Sequence, residues 1–96
     1  MIIAEFSVIP IGTGSTSVSR YVKAAISAIK NEDITVKPGA MGTVIEVGDI
    51  GELFRIIGMA HEAVFRAGAK RVVTNIKIDD RRDAEASIEG KIGALR

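Results

Sequence analysis

Residues 34–47, ITVKPGAMGTVIEV, contain the strand and turn pattern around which the rest of the chain is organised. Two short runs of strand-forming residues, 34–37 and 43–47, lie on either side of residues 37–42, where a proline and two glycines are typical of a turn. The stretch therefore predicts a β-hairpin in the middle of the chain.

The segment before the hairpin has the period of an amphipathic helix. Ser17 is placed to cap this helix, because its hydroxyl can accept a hydrogen bond from a free backbone N–H. The predicted apolar stripe is Val18, Val22, Ala25 and Ile29.

The segment after the hairpin predicts a second helix. Asp49 and Glu52 have the spacing of a capping box, and Gly68 lies where a glycine commonly ends a helix. The predicted apolar stripe is Leu53, Ile57, Ala60 and Val64.

Two further strands lie outside the helices, at residues 2–9 (IIAEFSVI) and 71–78 (RVVTNIKI). The order is β-α-β-β-α-β, the ferredoxin-like arrangement, over one domain of residues 1–96. Right-handed crossovers place both helices on one face of a four-stranded antiparallel sheet, with the first and third strands in the centre. The fold class is α+β. A short third helix is expected in the tail, residues 79–96, because Ile88, Ile92 and Leu95 recur at helical spacing.

The alternation of side chains predicts what each sheet face carries. The helices are expected to cover the apolar face: Ala4, Phe6, Val8, Ile34, Val36, Ile45, Val47, Val72, Ile76 and Ile78, with Thr43 and Thr74 in the same parity. The opposite, open face then carries Glu5, Ser7, Thr35, Lys37, Val44, Glu46, Val73, Asn75 and Lys77. Such a mixed surface suits a solvated sheet, a small-ligand pocket or an interface between copies.

Composition narrows the functional class. Apolar residues make up 47% of the 96-residue chain, which is more than the core of so small a domain can hold. Association between copies would bury the surplus. The net charge of +1 gives no reason to expect a polyanionic partner. The chain has no cysteine and one histidine, so neither a disulfide nor a metal site is predicted, and no cofactor is. With no signal peptide or membrane span apparent in the sequence, a cytoplasmic protein is expected.

Three smaller features have both a structural and a functional interpretation. The loop GTGSTS, residues 12–17, is a flexible turn, a loop that lines one end of a pocket, or an anion-binding loop. It lacks the lysine of a Walker A motif. His61 has no Ser/Asp partners and fits helix packing better than catalysis. The run Asp79–Asp83 is either a solvated salt-bridge cluster or a functional contact, which would fix the tail helix or join two subunits.

Two activities common to this topology are not supported. RNA-binding domains stack bases on aromatic residues of the open face, but Phe6 is predicted to face the helices, and the remaining aromatic residues lie on the helices. An acylphosphatase-like activity calls for an arginine in the first loop, and residues 10–17 contain none.

Several motifs together resemble a known family. They are Pro10-Ile-Gly12 and Thr16-Ser17 around the first loop, Gly42-Thr-Val-Ile-Glu46 on the third strand, and residues 71–79 followed by Asp80-Arg-Arg-Asp83. In order and spacing they resemble the thiamine-binding protein family of the YkoF-like superfamily, over essentially the whole chain.

That resemblance implies dimers built by sheet pairing and often tetramers. It also implies non-enzymatic binding of thiamin or its hydroxymethylpyrimidine moiety on the sheet side. Carried over to this sequence, the ligand-binding residues it implies are Glu46, Thr43, Ser17 and Asn75. Ser7 and Glu5 complete the predicted set from their places on the open face.

Three functional hypotheses follow. The first is a binding protein for thiamin or a related pyrimidine, with no nucleic-acid or membrane partner. The second is an oligomeric regulatory or interaction module that has no small-molecule ligand. The third, an enzyme, would depend on Glu5 and Glu46 as an acid and base, and no other motif supports it.

Overall fold

The computed structural model describes residues 1–96 and contains the predicted order of elements. The elements are β1 (Ile2–Pro10), α1 (Ser19–Ile29), β2 (Thr35–Pro38), β3 (Thr43–Val47), α2 (Ile50–Arg66), β4 (Val72–Asp79) and α3 (Ile88–Gly93). The sheet order is β2-β3-β1-β4, and all neighbouring strands are antiparallel. This confirms the ferredoxin-like α+β prediction.

The register of the sheet is regular, so the predicted parity of the faces holds. β1 pairs with β3 from Ile2 opposite Val47 to Phe6 opposite Thr43, without a bulge. On its other side β1 pairs with β4 as far as Pro10 opposite Val72. From Ser7 onward β1 therefore has a partner on one side only, and this unpaired edge shapes the site described below.

The core lies between the sheet and the two long helices. It contains Phe6 and Val8 from β1, Ile45 and Val47 from β3, and the apolar side of α2. The predicted stripe of α2 is fully buried and is joined by Ile56 and Ala63. Burial of these side chains, each of the larger ones worth about 1.5–3 kcal/mol, drives the helices onto the sheet.

The stripe predicted for α1 is only half correct. Ala25 and Ile29 are buried, together with Tyr21, whereas Val18 and Val22 remain more than a third exposed. The helix begins at Ser19 with Val18 at the cap position and no side-chain capping bond. The prediction of Ser17 as the N-cap was therefore wrong, because the turn continues past this serine before the helix starts.

β4 is also less covered than predicted. Ile76 and Ile78 have the expected parity, yet they are 38% and 40% exposed. The reason is topological, since β4 is an edge strand and α2 covers it only in part. No helix combines the length and the apolar composition that crossing a membrane requires.

The ends of α2 follow the sequence pattern. Asp49 Oδ1 accepts the N–H of Glu52 at 2.8 Å, and the Glu52 carboxylate returns to the N–H of Gly48 at 3.1 Å. Gly68, which follows the helix, has a φ of 114° that only glycine adopts readily. Both predicted boundary signals are confirmed.

Candidate functional site

Two pairs of polar side chains lie side by side on the open face, where β1 meets β4. Glu5 is directly opposite Lys77, and Ser7 is directly opposite Asn75. Because side chains alternate along a strand, all four point to the same face, away from the helices. None of these side chains makes a hydrogen bond or ion pair with another part of the protein, so their polar groups are available to a ligand.

These four side chains border a small polar hollow of about 120 Å³, which Met41 and Gly42 close from the side of β3. Gly42 permits the close approach of Glu5, whose Cγ would lie 3.3 Å from a Cβ at position 42. The carboxylate of Glu5 thus leans toward the start of β3. The hollow holds a carboxylate, an ammonium group, a hydroxyl and an amide, which together can donate and accept hydrogen bonds.

Glu46 lies elsewhere on the same face. It is opposite Ile3 on β1 and Thr35 on β2, and its Oε1 accepts the backbone N–H of Ile88 at 2.8 Å. Glu5 is opposite Val44, two residues away from Glu46, and leans in the other direction. The two glutamates therefore do not form an acid and base pair in this structure.

The hydrogen bond to Glu46 places α3 against the open face. Ile88 is buried there, whereas Ile92 is 44% and Leu95 is 87% exposed. Lys91 of this helix forms an ion pair with Asp79, with 2.5 Å between Nζ and Oδ2. The predicted third helix is thus confirmed, but only Ile88 of its apolar stripe is buried.

A second space, the tail cavity, of about 510 Å³ lies beside the docked helix and is widely open to solvent. Its lining includes Glu5 and Lys77 from the polar hollow, Val44 from β3, and the Lys91–Asp79 pair. Glu46 is not among its lining residues. The tail cavity and the polar hollow share Glu5 and Lys77, so they are neighbouring parts of one groove.

A third space, the apolar notch, lies where β1 continues beyond β3. It has a volume of about 420 Å³ and is walled by apolar side chains that include Val18, Val22, Ile26 and Met41. Thr43, which is 4% exposed, and Ser7 are its polar lining residues. The volume and the mostly apolar wall are typical of a small-molecule pocket. Val18 and Val22 are partly exposed because they line this notch and are not packed against the sheet.

The structure thus brings together four of the predicted site residues, at two adjoining places. Glu5, Ser7 and Asn75 border the polar hollow, and Ser7 also reaches the apolar notch, where Thr43 lies. Glu46 is set apart by its contact with α3. Ser17 is exposed and its hydroxyl lies 3.3 Å from that of Ser19, outside the residues that line the notch.

The sequence did not identify every residue of this region. The apolar stripe of α1 predicts Val18 and Val22 in the core, and no local pattern of residues shows that β1 runs past β3. Lys91 was not singled out, because no local pattern connects it to Asp79, twelve residues earlier. Met41, 91% exposed, marks the rim of the notch.

The other candidate motifs have structural partners. In the loop of residues 12–17, Thr13 and Ser15 bond to each other and Ser15 accepts the N–H of Ser17. His61 Nδ1 lies 2.6 Å from Thr74 Oγ1, and this contact ties α2 to β4. Nowhere do three or more acidic or histidine side chains gather closely enough to hold a metal ion.

The charged run after β4 forms the predicted surface ion pairs. Arg81 donates to both carboxylate oxygens of Asp83, and Arg82 donates to Asp80 at 2.7 Å. These hydrogen bonds from arginine lower the pKa of both aspartates below the usual value. The preceding Asp79 forms an ion pair with Lys91 of α3, so this run also has a contact with the tail helix, which was one of its functional alternatives.

Known proteins share both the sequence and the fold. The family model described as thiamine-binding protein matches residues 4–96. A UPF0045 protein of Methanothermobacter thermautotrophicus is 47% identical over 96 residues, which span 100% of this chain and 97% of the relative. The UPF0045 protein YqgV of Bacillus subtilis is 43% identical over 99 residues, with 99% and 94% of the two chains covered.

Solved structures agree with the fold. Protein MJ1052 of Methanocaldococcus jannaschii superposes with a TM-score of 0.88 at 45% identity, covering 98% of this chain and 94% of that one. A Thermotoga maritima protein that is 21% identical has a TM-score of 0.81 over 99% of this chain and 98% of its own, which supports the fold alone. Because the family model matches nearly the whole length of this chain, the chain belongs to the thiamine-binding protein family.

Proposed function

We propose that this protein binds thiamin or a related hydroxymethylpyrimidine on the open face of its sheet, as an oligomer and without catalysing a reaction. The family description supports the ligand class. The observation that carries the proposal is the polar hollow, in which Glu5 faces Lys77 and Ser7 faces Asn75 next to an apolar notch. A ligand site of this kind combines an apolar wall with a few polar groups that fix orientation.

The chemistry of thiamin fits these groups. Its aminopyrimidine ring presents a ring nitrogen beside an exocyclic amine, and the amide of Asn75 can donate to one and accept from the other. The apolar notch next to Ser7 suits the flat faces of the ring. The thiazolium carries a positive charge, which the carboxylate of Glu5 attracts. Lys77 repels that charge and would favour a phosphorylated form instead.

The test measures binding directly. Isothermal titration and thermal shift with thiamin, thiamin diphosphate and 4-amino-5-hydroxymethyl-2-methylpyrimidine should each report saturable binding, since a ligand of the native state raises the melting temperature. Asn75→Ala should weaken all three ligands, because all contain the pyrimidine. The absence of any shift or heat at millimolar ligand would contradict the proposal.

A matched pair of lysine variants separates the electrostatic part of the proposal. Lys77→Ala should strengthen thiamin binding and weaken thiamin diphosphate binding, because it removes one positive charge from the hollow. Lys37→Ala removes the same charge from the open face at the opposite edge of the sheet, outside the hollow. It should leave both affinities unchanged, and equal effects of the two variants would contradict this placement of the ligand.

One observation favours the alternative of an interaction module. Ile9 and Val73 are directly opposite each other on the open face, and they are 42% and 41% exposed. A second copy of the chain that covered this apolar pair would remove it from water, which favours association. Light scattering on Val73→Lys should show a smaller species than the wild type. If assembly is lost and no thiamin compound binds the wild type, the interaction module becomes the better description.

A further inference from the structure

The carboxylate of Glu46 is engaged inside the protein. It accepts the N–H of Ile88, the first residue of α3, while Ser87 Oγ accepts the N–H of Gly90 at 2.9 Å. The first N–H groups of a helix have no partner within the helix, and a carboxylate is a strong acceptor for them. Two side chains that are 41 positions apart therefore cap one turn.

Without this contact α3 has little to hold it. The helix has six residues, two of them glycine, and a helix so short is marginal in water. Its ion pair between Lys91 and Asp79 is about half exposed, so it adds little. Besides the hydrogen bond to Glu46, the burial of Ile88 is the main remaining attachment.

The position of α3 determines the shape of the groove. The tail cavity is bounded on one side by Lys91 of the helix and on the other by Glu5, Val44 and Lys77 of the sheet. Glu46 contacts the backbone at the start of the helix and does not line that cavity. A molecule in the cavity would contact Lys91 and the strand residues that line it, and not Glu46.

We infer that Glu46 is a positioning residue, whose carboxylate fixes α3 as one wall of the ligand groove and does not itself contact the ligand. This inference rests on the proposed function for the identity of the ligand, but the anchoring of α3 stands without it. It also departs from the role that the family resemblance implies for Glu46, which is direct contact with the ligand.

The test compares three variants of the full chain. Glu46→Ala removes the acceptor, Glu46→Gln keeps an oxygen that can accept the same N–H, and Ile88→Ala loosens the helix by another route. Hydrogen exchange of the amides in residues 88–93 without ligand reports the anchoring, and the Kd for thiamin reports the groove. Glu89→Ala is the control. It also removes a carboxylate from the first turn of α3, but the Glu89 carboxylate makes no hydrogen bond.

We expect Glu46→Ala and Ile88→Ala to speed exchange in α3 and to weaken thiamin binding. For Glu46→Ala the loss of affinity should be about tenfold, which corresponds to one hydrogen bond to a charged group. Glu46→Gln should retain most of the exchange protection of α3 and most of the affinity for thiamin, and Glu89→Ala should change neither quantity. Unchanged exchange in Glu46→Ala would overturn the anchoring. Loss of thiamin binding in Glu46→Gln with α3 still protected would overturn the inference and make Glu46 a direct ligand. If the wild type binds no thiamin, the proposed function and the groove role fail together, while the exchange data still decide the anchoring.

Discussion

Gly42 lies directly beneath the side chain of Glu5. A Cβ at position 42 would be 3.3 Å from Glu5 Cγ and 3.2 Å from the carbonyl oxygen of Phe6. Both distances are shorter than ordinary van der Waals contact, so a side chain at this position must displace its neighbours. Gly42 therefore leaves the room that the side chain of Glu5 occupies beside the polar hollow.

Gly42→Ala should disturb the hollow more than the fold. The added methyl group pushes Glu5 away from its present position and strains the backbone of β1, at a cost of about 1 kcal/mol. Thiamin affinity should fall several-fold in isothermal titration. An unchanged affinity would show that the position of Glu5 does not matter for binding.

Gly58→Ala provides the contrasting case. Gly58 lies in α2, and no atom lies within 4 Å of the position its Cβ would take. Alanine favours a helix more than glycine does, so the free energy of unfolding should rise by up to about 1 kcal/mol. Urea denaturation measures this gain, and thiamin affinity should be unchanged.

The N-terminal cap of α2 should contribute measurably to stability. Asp49→Ala removes the acceptor for the N–H of Glu52 and should lower the free energy of unfolding by about 0.5–2 kcal/mol. Asp49→Asn retains an oxygen acceptor and should lose only part of that amount. Chemical denaturation measures the free energy of unfolding of both variants. An equal loss of stability in the two would show that the charge of Asp49 matters and not its hydrogen bond.

Burial, and not side-chain size, should set the cost of truncation in α2. Leu53 is fully buried, and Leu53→Ala should cost about 2–5 kcal/mol because it leaves a cavity in the core. The neighbouring Phe54 is 55% exposed, and Phe54→Ala should cost less than about 1 kcal/mol. A reversed order in urea denaturation would mean that α2 is rotated from its position here.

The acid limb of the stability curve should depend on Asp80 and Asp83. Hydrogen bonds from Arg82 and Arg81 lower the pKa of these carboxyls in the folded protein. The native state then binds fewer protons than the unfolded chain, so the stabilisation is present above the unfolded pKa of about 3.9. It is lost as the pH falls through the lower pKa of the folded state.

Asp80→Asn measures this contribution. The variant should be slightly less stable than the wild type at pH 7, and the difference should shrink as the pH falls below about 4. Added salt should also reduce it, because the pair is exposed. Urea midpoints at several pH values provide the measurement, and a difference that grows on acidification would contradict the assignment.

Much of the site could be predicted because it depends on strand parity. Once residues 2–9 and 71–78 were identified as strands, the faces of Glu5, Ser7, Asn75 and Lys77 followed from the alternation of side chains. The exact pairs depended on register, which the antiparallel pairing of β1 with β4 supplied. The error at α1 arose because an apolar stripe signals burial or a pocket equally well, and Val18 and Val22 line a pocket.

Local sequence patterns were enough to predict the order of the elements, the sheet faces and the ends of α2, because periodicity, turn residues and capping pairs act over a few neighbouring positions. Three features became visible only in the folded chain: Glu46 accepts the N–H of Ile88, Gly42 lies beneath Glu5, and β1 runs past β3 to form the apolar notch. These are contacts between segments that are distant along the chain. They depend on strand register and on the docking of a short helix, and no local pattern of residues specifies either.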